Sequence, residues 1–210
     1  MRPQLRTISA LDNDADGICE SQTPVGAGAL DIDGVLAVDG TVTLDVAQRV
    51  TVTSVGDETG VVFTVTGKDE NSKDITEDIT GANAGAASGS LFFKEITEVS
   101  ADGATADAVT VGVLAANGGV SNSIMCNWRA SDFKVGMSVT ITGTLNATVQ
   151  QTLDNLYDPD ITSPYWSNTT GLTAITANDV GNLDFPVIGV RLKLNSWTSG
   201  SATLNYVQQG

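Results

Sequence analysis

From Thr41 onward the chain alternates between apolar and polar positions. TVTLDV (41–46) sets Val and Leu against Thr and Asp, and RVTVTSV (49–55), VVFTVTG (61–67) and DITEDITG (74–81) repeat the rhythm. A period of two predicts half-buried antiparallel strands. GDETG (56–60) reads as a turn between them and KDENSK (68–73) as a polar loop. LFFKEITEVS (91–100) and AVTVGVL (108–114), joined by the turn ADGATADA, complete the set. Short strands with turn signals at such spacing are the pattern of a β-sandwich. GANAGAASGS (81–90) has no bulky side chain to anchor it and is expected as a mobile surface loop.

AANGGVSNS (115–123), with Asn-Gly-Gly at its centre, predicts a linker. Beyond it IMCNWRA (124–130), GMSVTITGTL (136–145), NATVQQTLD (146–154), FPVIGVRLKLNSW (185–197) and SATLNYVQQ (201–209) read as strands. Thr198-Ser199-Gly200 is expected to close a hairpin between the last two. In it Ile188, Val190, Leu192 and Leu194 would face the core, and Arg191 and Lys193 solvent. DFKVG (132–136) and TLDNLYD (152–158) are the only places suited to a short helix. Residues 1–40 are rich in turn formers and lack a sustained period. The expected fold is therefore all-β: an irregular N-terminal arm (1–40), a first sandwich-like module (41–118) and a second, jelly-roll-like sandwich module (119–210), both antiparallel.

Charge separates the two modules. The net charge is −15; residues 1–118 hold 19 acids and 6 bases, residues 119–210 hold 6 and 4. An acidic surface repels phosphate backbones and anionic bilayers, so neither nucleic acid nor membrane is expected as a partner. The opening residues contain no apolar stretch of signal-peptide length, so folding in the cytosol is expected, with Cys19 and Cys126 as reduced apolar fillers. Asn146-Ala-Thr and Asn168-Thr-Thr then read as chance glycosylation patterns.

The chain contains no histidine. Ser-His-Asp and Cys-His catalysis are thereby excluded, and with them the commonest metal ligand. There is no Cys-x-x-Cys pair, phosphate-binding loop or dinucleotide fingerprint. Asp158 and Asp160, beside Tyr165 and Trp166, are the only carboxylates placed to suggest glycosidase chemistry, and Asp158-Pro159-Asp160 reads first as a turn. No catalytic residue and no cofactor are expected. Asp12, Asp14 and Asp16, alternating ahead of Gly17, are calcium candidates, because acids so spaced in a loop wrap hard oxygens around one ion. The twelfth position is Thr23 rather than Glu; Glu20, Asp31, Asp33 and Asp39 are the nearby oxygen sources.

All three Trp and all three Tyr lie after residue 118. Trp128, Trp197 and Tyr206, in or beside expected strands, read as core and rim plugs. Tyr165 and Trp166, in a loop with Pro and Ser, are candidate contact residues for a ligand or a neighbouring subunit.

Two segments carry a resemblance. Residues 50–112, above all ITEDITGANAG followed by FFKEITEVSADGATADAVTVG, resemble a β-rich module of tailed-bacteriophage structural proteins. Residues 170–210, with Phe-Pro-Val leading into a strand, a Thr-Ser-Gly turn and a final strand, resemble the C-terminal strands of phage virion proteins. The resemblance implies a virion component made in the bacterial cytoplasm: a capsid decoration (cement) subunit or a head, collar or tail appendage. Its partners would be copies of itself in a ring or trimer and the major capsid, portal or tail proteins. The alternative is a carbohydrate-binding module of a receptor-binding fibre, with Tyr165, Trp166 and Tyr157 as its platform.

Overall fold

The computed structural model describes residues 3–158, 160–161 and 163–209. Among them there are strands, turns and one 3-10 turn (Ala115–Asn117), and no α-helix. The fold is all-β and sandwich-like. The chain divides into two compact units: residues 12–117, and residues 1–11 together with 118–210.

The first strand, β1 (Gln4–Ile8), belongs to the second of these units. The chain then enters the first unit, which contains β2 (Asp14–Gln22), β3 (Gly28–Ala29), β4 (Ala37–Val38), β5 (Thr41–Gln48), β6 (Val50–Asp57), β7 (Val62–Lys68), β8 (Asp74–Thr80), β9 (Asn83–Ser88), β10 (Phe93–Ala101) and β11 (Val109–Val113). One sheet runs β2-β11-β6-β9; another runs β5-β10-β7-β8, with β3 on β10 and β4 on β5. All pairings are antiparallel. The apolar set of each alternation points into one core: Ile18, Val52 and Val111 from the first sheet meet Val42, Phe63, Val65 and Ile96 from the second. Glu58 is buried in this unit at 1% exposure. Its carboxylate accepts from Ser54 Oγ (3.0 Å), Ala106 N (2.9 Å) and Asp107 N (3.0 Å), so it pins the 102–107 turn with charge-assisted bonds.

The second unit adds β12 (Gly119–Val120), β13 (Ile124–Met125), β14 (Val135–Thr142), β15 (Leu145–Thr152), β16 (Ser167–Asn168), β17 (Asp179–Leu183), β18 (Gly189–Trp197) and β19 (Ser201–Gln208). One sheet is β1-β19-β14-β17. Another is β16-β15-β18, with β12 and β13 both paired to β18. Val139, Leu204 and Tyr206 from the first and Val149, Leu192 and Leu194 from the second are buried.

Five expectations are corrected. The segment 1–40 is not an irregular arm. Gln4–Ile8 pairs with β19 and Asp14–Gln22 with β11, each supplying an otherwise missing strand to a different unit. Asn83–Ser88, expected as a mobile loop, is strand β9 on the edge of β6. Its Ala and Gly side chains leave no period to read, but the backbone ladder needs none. Residues 124–130 form a strand only over Ile124–Met125, and neither helix candidate is helical: 132–134 turns into β14 and Asn155–Asp158 is a turn.

The fifth concerns the last two strands. Thr198–Gly200 does not close a hairpin: β19 pairs with β14 and β1, β18 with β15. The chain crosses from one sheet to the other at this corner, and β14–β15 makes the same crossing at Gly143. Gly143 (φ 79°) and Gly200 (φ 85°) occupy the left-handed region at the two corners. A Cβ on Gly200 would lie 1.9 Å from Thr142 O, and Thr144 N donates to Ser199 O at 3.0 Å, so the corners are stitched backbone to backbone.

Candidate functional site

Asp14 and Asp16 lie on β2, an extended strand, so they share one face with Cα atoms about 7 Å apart and meet each other rather than wrapping around an ion. Asp12 precedes the strand, its backbone N–H and C=O tied to the Gln48 amide at 2.7 and 2.9 Å. Burial raises the Asp12 carboxyl above its ordinary range, with Asp45 adding to it. The Asp16 carboxyl is raised by a hydrogen bond to Asp14 and by its charge. Asp33 Oδ1 accepts from Glu20 N at 2.8 Å. Among the described residues no group of three or more acids or thiols is placed to hold a metal ion. The alternation read as a calcium loop is the alternation of a strand.

Asp158 Oδ1 accepts from Asp160 N at 3.0 Å, the geometry of a turn; Pro159 lies outside the described residues.

Tyr165 is 76% exposed, its backbone N–H held by Asp154. Trp166 is half-buried and does not offer both faces: the Arg191 guanidinium lies over its ring at 4.2 Å. Arg191 itself is buried, donating from Nε to Gln150 Oε1 at 3.0 Å, and Gln150 Nε2 donates to Asn168 Oδ1 at 3.2 Å. This corrects the expectation that Arg191 faces solvent. On the second face of β18 Trp166 lies over Arg191 and Gln150, its cross-strand neighbour on β15, bonds it, so a stack plus a hydrogen bond accommodates the cation there. Gly189 makes room for the covering residues; a Cβ there would sit 2.7 Å from Leu156 and 3.7 Å from Trp166. Trp197 and Tyr206 are plugs as expected: Trp197 Nε1 donates to Gly200 O (2.9 Å), and the fully buried Tyr206 donates to Gln208 Oε1 (2.7 Å).

Trp128 departs from that expectation. It is 40% exposed, in a turn after β13, and Arg129 stacks on its ring at 4.6 Å. Trp128, Arg129, Asn127, Asn155 and Tyr157 border a recess of about 760 Å³, with Cys126 and Ile188 also lining it. Tyr157 is 63% exposed. The wall is held from within. The Gln208 amide, 2% exposed, donates to Asn127 O at 2.8 Å and accepts from Asn127 N at 2.9 Å, and Cys126 N donates to Ile188 O at 2.9 Å. Burial pushes the Cys126 thiol up to about 11, which leaves it protonated and unreactive at neutral pH. Asn-Trp-Arg at 127–129 interrupts the apolar alternation, and that break is the sequence signal for this recess.

The same unit presents a second feature on the outward face of β1-β19-β14-β17. The register aligns Leu5, Asn205, Ser138 and Val180 in one row, Thr7, Thr203 and Thr140 in a second, Val207, Gly136 and Asn182 in a third, and Ser201 with Thr142 in a fourth. None of these side chains is ionisable. Thr7 and Thr203 hydroxyls pair at 2.9 Å, Thr142 and Ser201 at 3.0 Å.

No protein-family model matches the chain, and no curated protein matches it. Among solved structures, a chain from the structure of infectious bursal disease virus Gt strain aligns over 99% of this chain and 70% of its own length, at 11% identity and a TM-score of 0.18. A likeness that slight carries no argument about fold or function.

Proposed function

We propose that the chain is a non-enzymatic structural subunit of a tailed-bacteriophage virion, a capsid decoration (cement) protein or a head or collar appendage, that works through protein–protein contacts. The observation that carries the reading is the charge-free outward face of β1-β19-β14-β17, in a unit whose 6 acids and 6 bases cancel. The unit formed by residues 12–117 holds 19 acids and 4 bases. Copies of such a chain repel through one unit and can approach only through the other.

The size of the face bounds what it can contribute. Four strands of five, eight, eight and five residues, at about 4.8 Å spacing and about 3.3 Å rise, cover roughly 400 Å². Two copies face to face would bury roughly 800 Å², short of the roughly 1,000 Å² of a specific interface, so residues beyond the strands would complete the contact. Leu5 (55% exposed), Val180 (74%) and Val207 (46%) supply apolar contact, and the hydroxyls and amides supply hydrogen bonds at little desolvation cost beside that of charges. The reading includes a ring or trimer of identical chains, attachment to a capsid, portal or tail protein, and synthesis in the host cytoplasm.

Sedimentation equilibrium of the purified chain tests it. A mass that is a multiple of 21.6 kDa at physiological salt is expected. A monomer at every concentration that also fails to bind capsids or connectors would overturn the reading.

A further inference from the structure

We propose that the recess bordered by Trp128, Arg129 and Tyr157 is a binding site for an acidic saccharide, with the sugar ring against the aromatic side chains and its anionic group at Arg129. Trp128 and Tyr157 give the recess two partly exposed rings, the surfaces on which the C–H face of a pyranose packs. Its volume lies within the range of small-ligand sites.

The polar groups are of the type that reads hydroxyls. Asn155 Oδ1 already accepts from Tyr157 N at 3.3 Å, which leaves its NH₂ to donate. Asn127 has its backbone held by Gln208, so its exposed side-chain amide is not needed to hold the turn.

Charge selects the kind of sugar. Among the described residues no carboxylate lines the recess, although the protein carries 25 acids. Arg129 makes no ion pair with any described residue. Placed over the indole, its guanidinium keeps N–H donors for an anion. A neutral sugar would leave that cation unused, and an acidic one meets it.

The buried support is the independent observation. Tyr206 and Gln208 form a fully enclosed polar chain ending on the backbone of Asn127, the residue before Trp128. A buried network of this kind fixes one geometry for the exposed residues it carries, as a preformed binding wall requires.

The test is titration of the full chain with sialyllactose, digalacturonate and glucose 6-phosphate, and with lactose and glucose as neutral counterparts, read by tryptophan fluorescence and calorimetry. At least one acidic sugar is expected to bind about tenfold or more tightly than its neutral counterpart. Arg129→Gln should abolish that preference, and Trp128→Ala should weaken binding of the acidic sugar by about tenfold or more. Tyr165→Ala, an exposed ring outside the recess, should leave binding unchanged. Because all three positions are exposed, thermal melts of the variants should match wild type. No binding by any acidic sugar, or binding indifferent to both Trp128→Ala and Arg129→Gln, would overturn the proposal. The subunit reading would survive such a failure, since it rests on the sheet face.

Discussion

The two units present sheet faces of the same kind with opposite chemistry. On the unit of residues 12–117, the outward rows of β10-β7-β8 are Ser100, Thr64 and Asp78; Glu98, Thr66 and Thr76; and Glu95, Lys68 and Asp74. Five of those nine side chains are charged, and Lys68 and Glu95 form an ion pair at 2.8 Å. On the other unit the rows of β1-β19-β14-β17 hold none. Both faces use Thr as the neutral filler, which suits a pleated surface in either setting. The difference is thus one of charge placement on a common scaffold. The charged face also carries its own protection: Asp74, Glu77 and Asp78 on the edge strand β8 discourage pairing with another chain. The outward rows of the other face carry no charge, although its edge strands hold Arg6 and Asp179.

The largest expected effect separates Glu58, a built-in acid of the acidic unit, from that unit's surface acids. Glu58→Ala leaves Ser54 Oγ and two backbone N–H groups without their acceptor and should cost about 3 kcal/mol in urea unfolding. Asp78→Asn on the exposed face should stay within about 0.5 kcal/mol. Equal effects would mean that the acidity of this unit is structural rather than presented.

A comparable change in the neutral unit is Gln208→Leu, which removes the acceptor of the Asn127 N–H and of the Tyr206 hydroxyl and one of the two donors to Asn127 O. A loss of about 2 kcal/mol is expected, together with a shift in tryptophan emission as the Trp128 turn loosens.

Salt should divide the units. Raising ionic strength screens the self-repulsion of the acidic unit and should stabilise it by on the order of 1 kcal/mol. The neutral unit should respond little. The two are separable because every Trp lies in the neutral unit, so fluorescence follows that unit alone while circular dichroism follows both.

The smallest effect concerns the thiols, one in each unit. Burial pushes Cys19 up to about 12, with Asp33 and Asp31 adding to it, and Cys126 up to about 11. A folded pKa above the unfolded value contributes stability that is complete below the unfolded thiol's range, near 9. It is lost as pH climbs through the folded values. Native protein at pH 8 should therefore resist a thiol reagent such as dithionitrobenzoate, and both cysteines should react on unfolding. Fast labelling of either in the native state would contradict its burial.

The strands between Thr41 and Val113 were legible because Val, Ile and Phe alternate with Thr and Asp there. β9 was not, because Ala, Gly and Ser carry no period; only the ladder to β6 identifies it. β1 and β2 escaped notice for a related reason: Gln4–Ile8 lacks a clean alternation, and the Asp alternation of β2 resembles a cation loop. The last two strands show a deeper limit. β18 and β19 each have one apolar set, and that pattern is the same whether two strands pair edge to edge or face each other across a sandwich. The buried Arg191 follows from Trp166 and Gln150, neither of which a local pattern connects to it. Tyr165 was recognisable as exposed, whereas Trp128 was hidden by an expected strand that ends at Met125.

The central claim is that the neutral unit's charge-free sheet face joins identical chains. Asn205 stands in the middle of that face, half-buried, between Leu5 and Ser138, and its side chain holds no core contact that a longer one would break. Sedimentation of Asn205→Arg beside wild type tests the claim most directly. An oligomeric wild type and a monomeric Asn205→Arg with unchanged melting temperature are the predicted result. A wild type that stays monomeric, or an oligomer that survives the arginine, would contradict it.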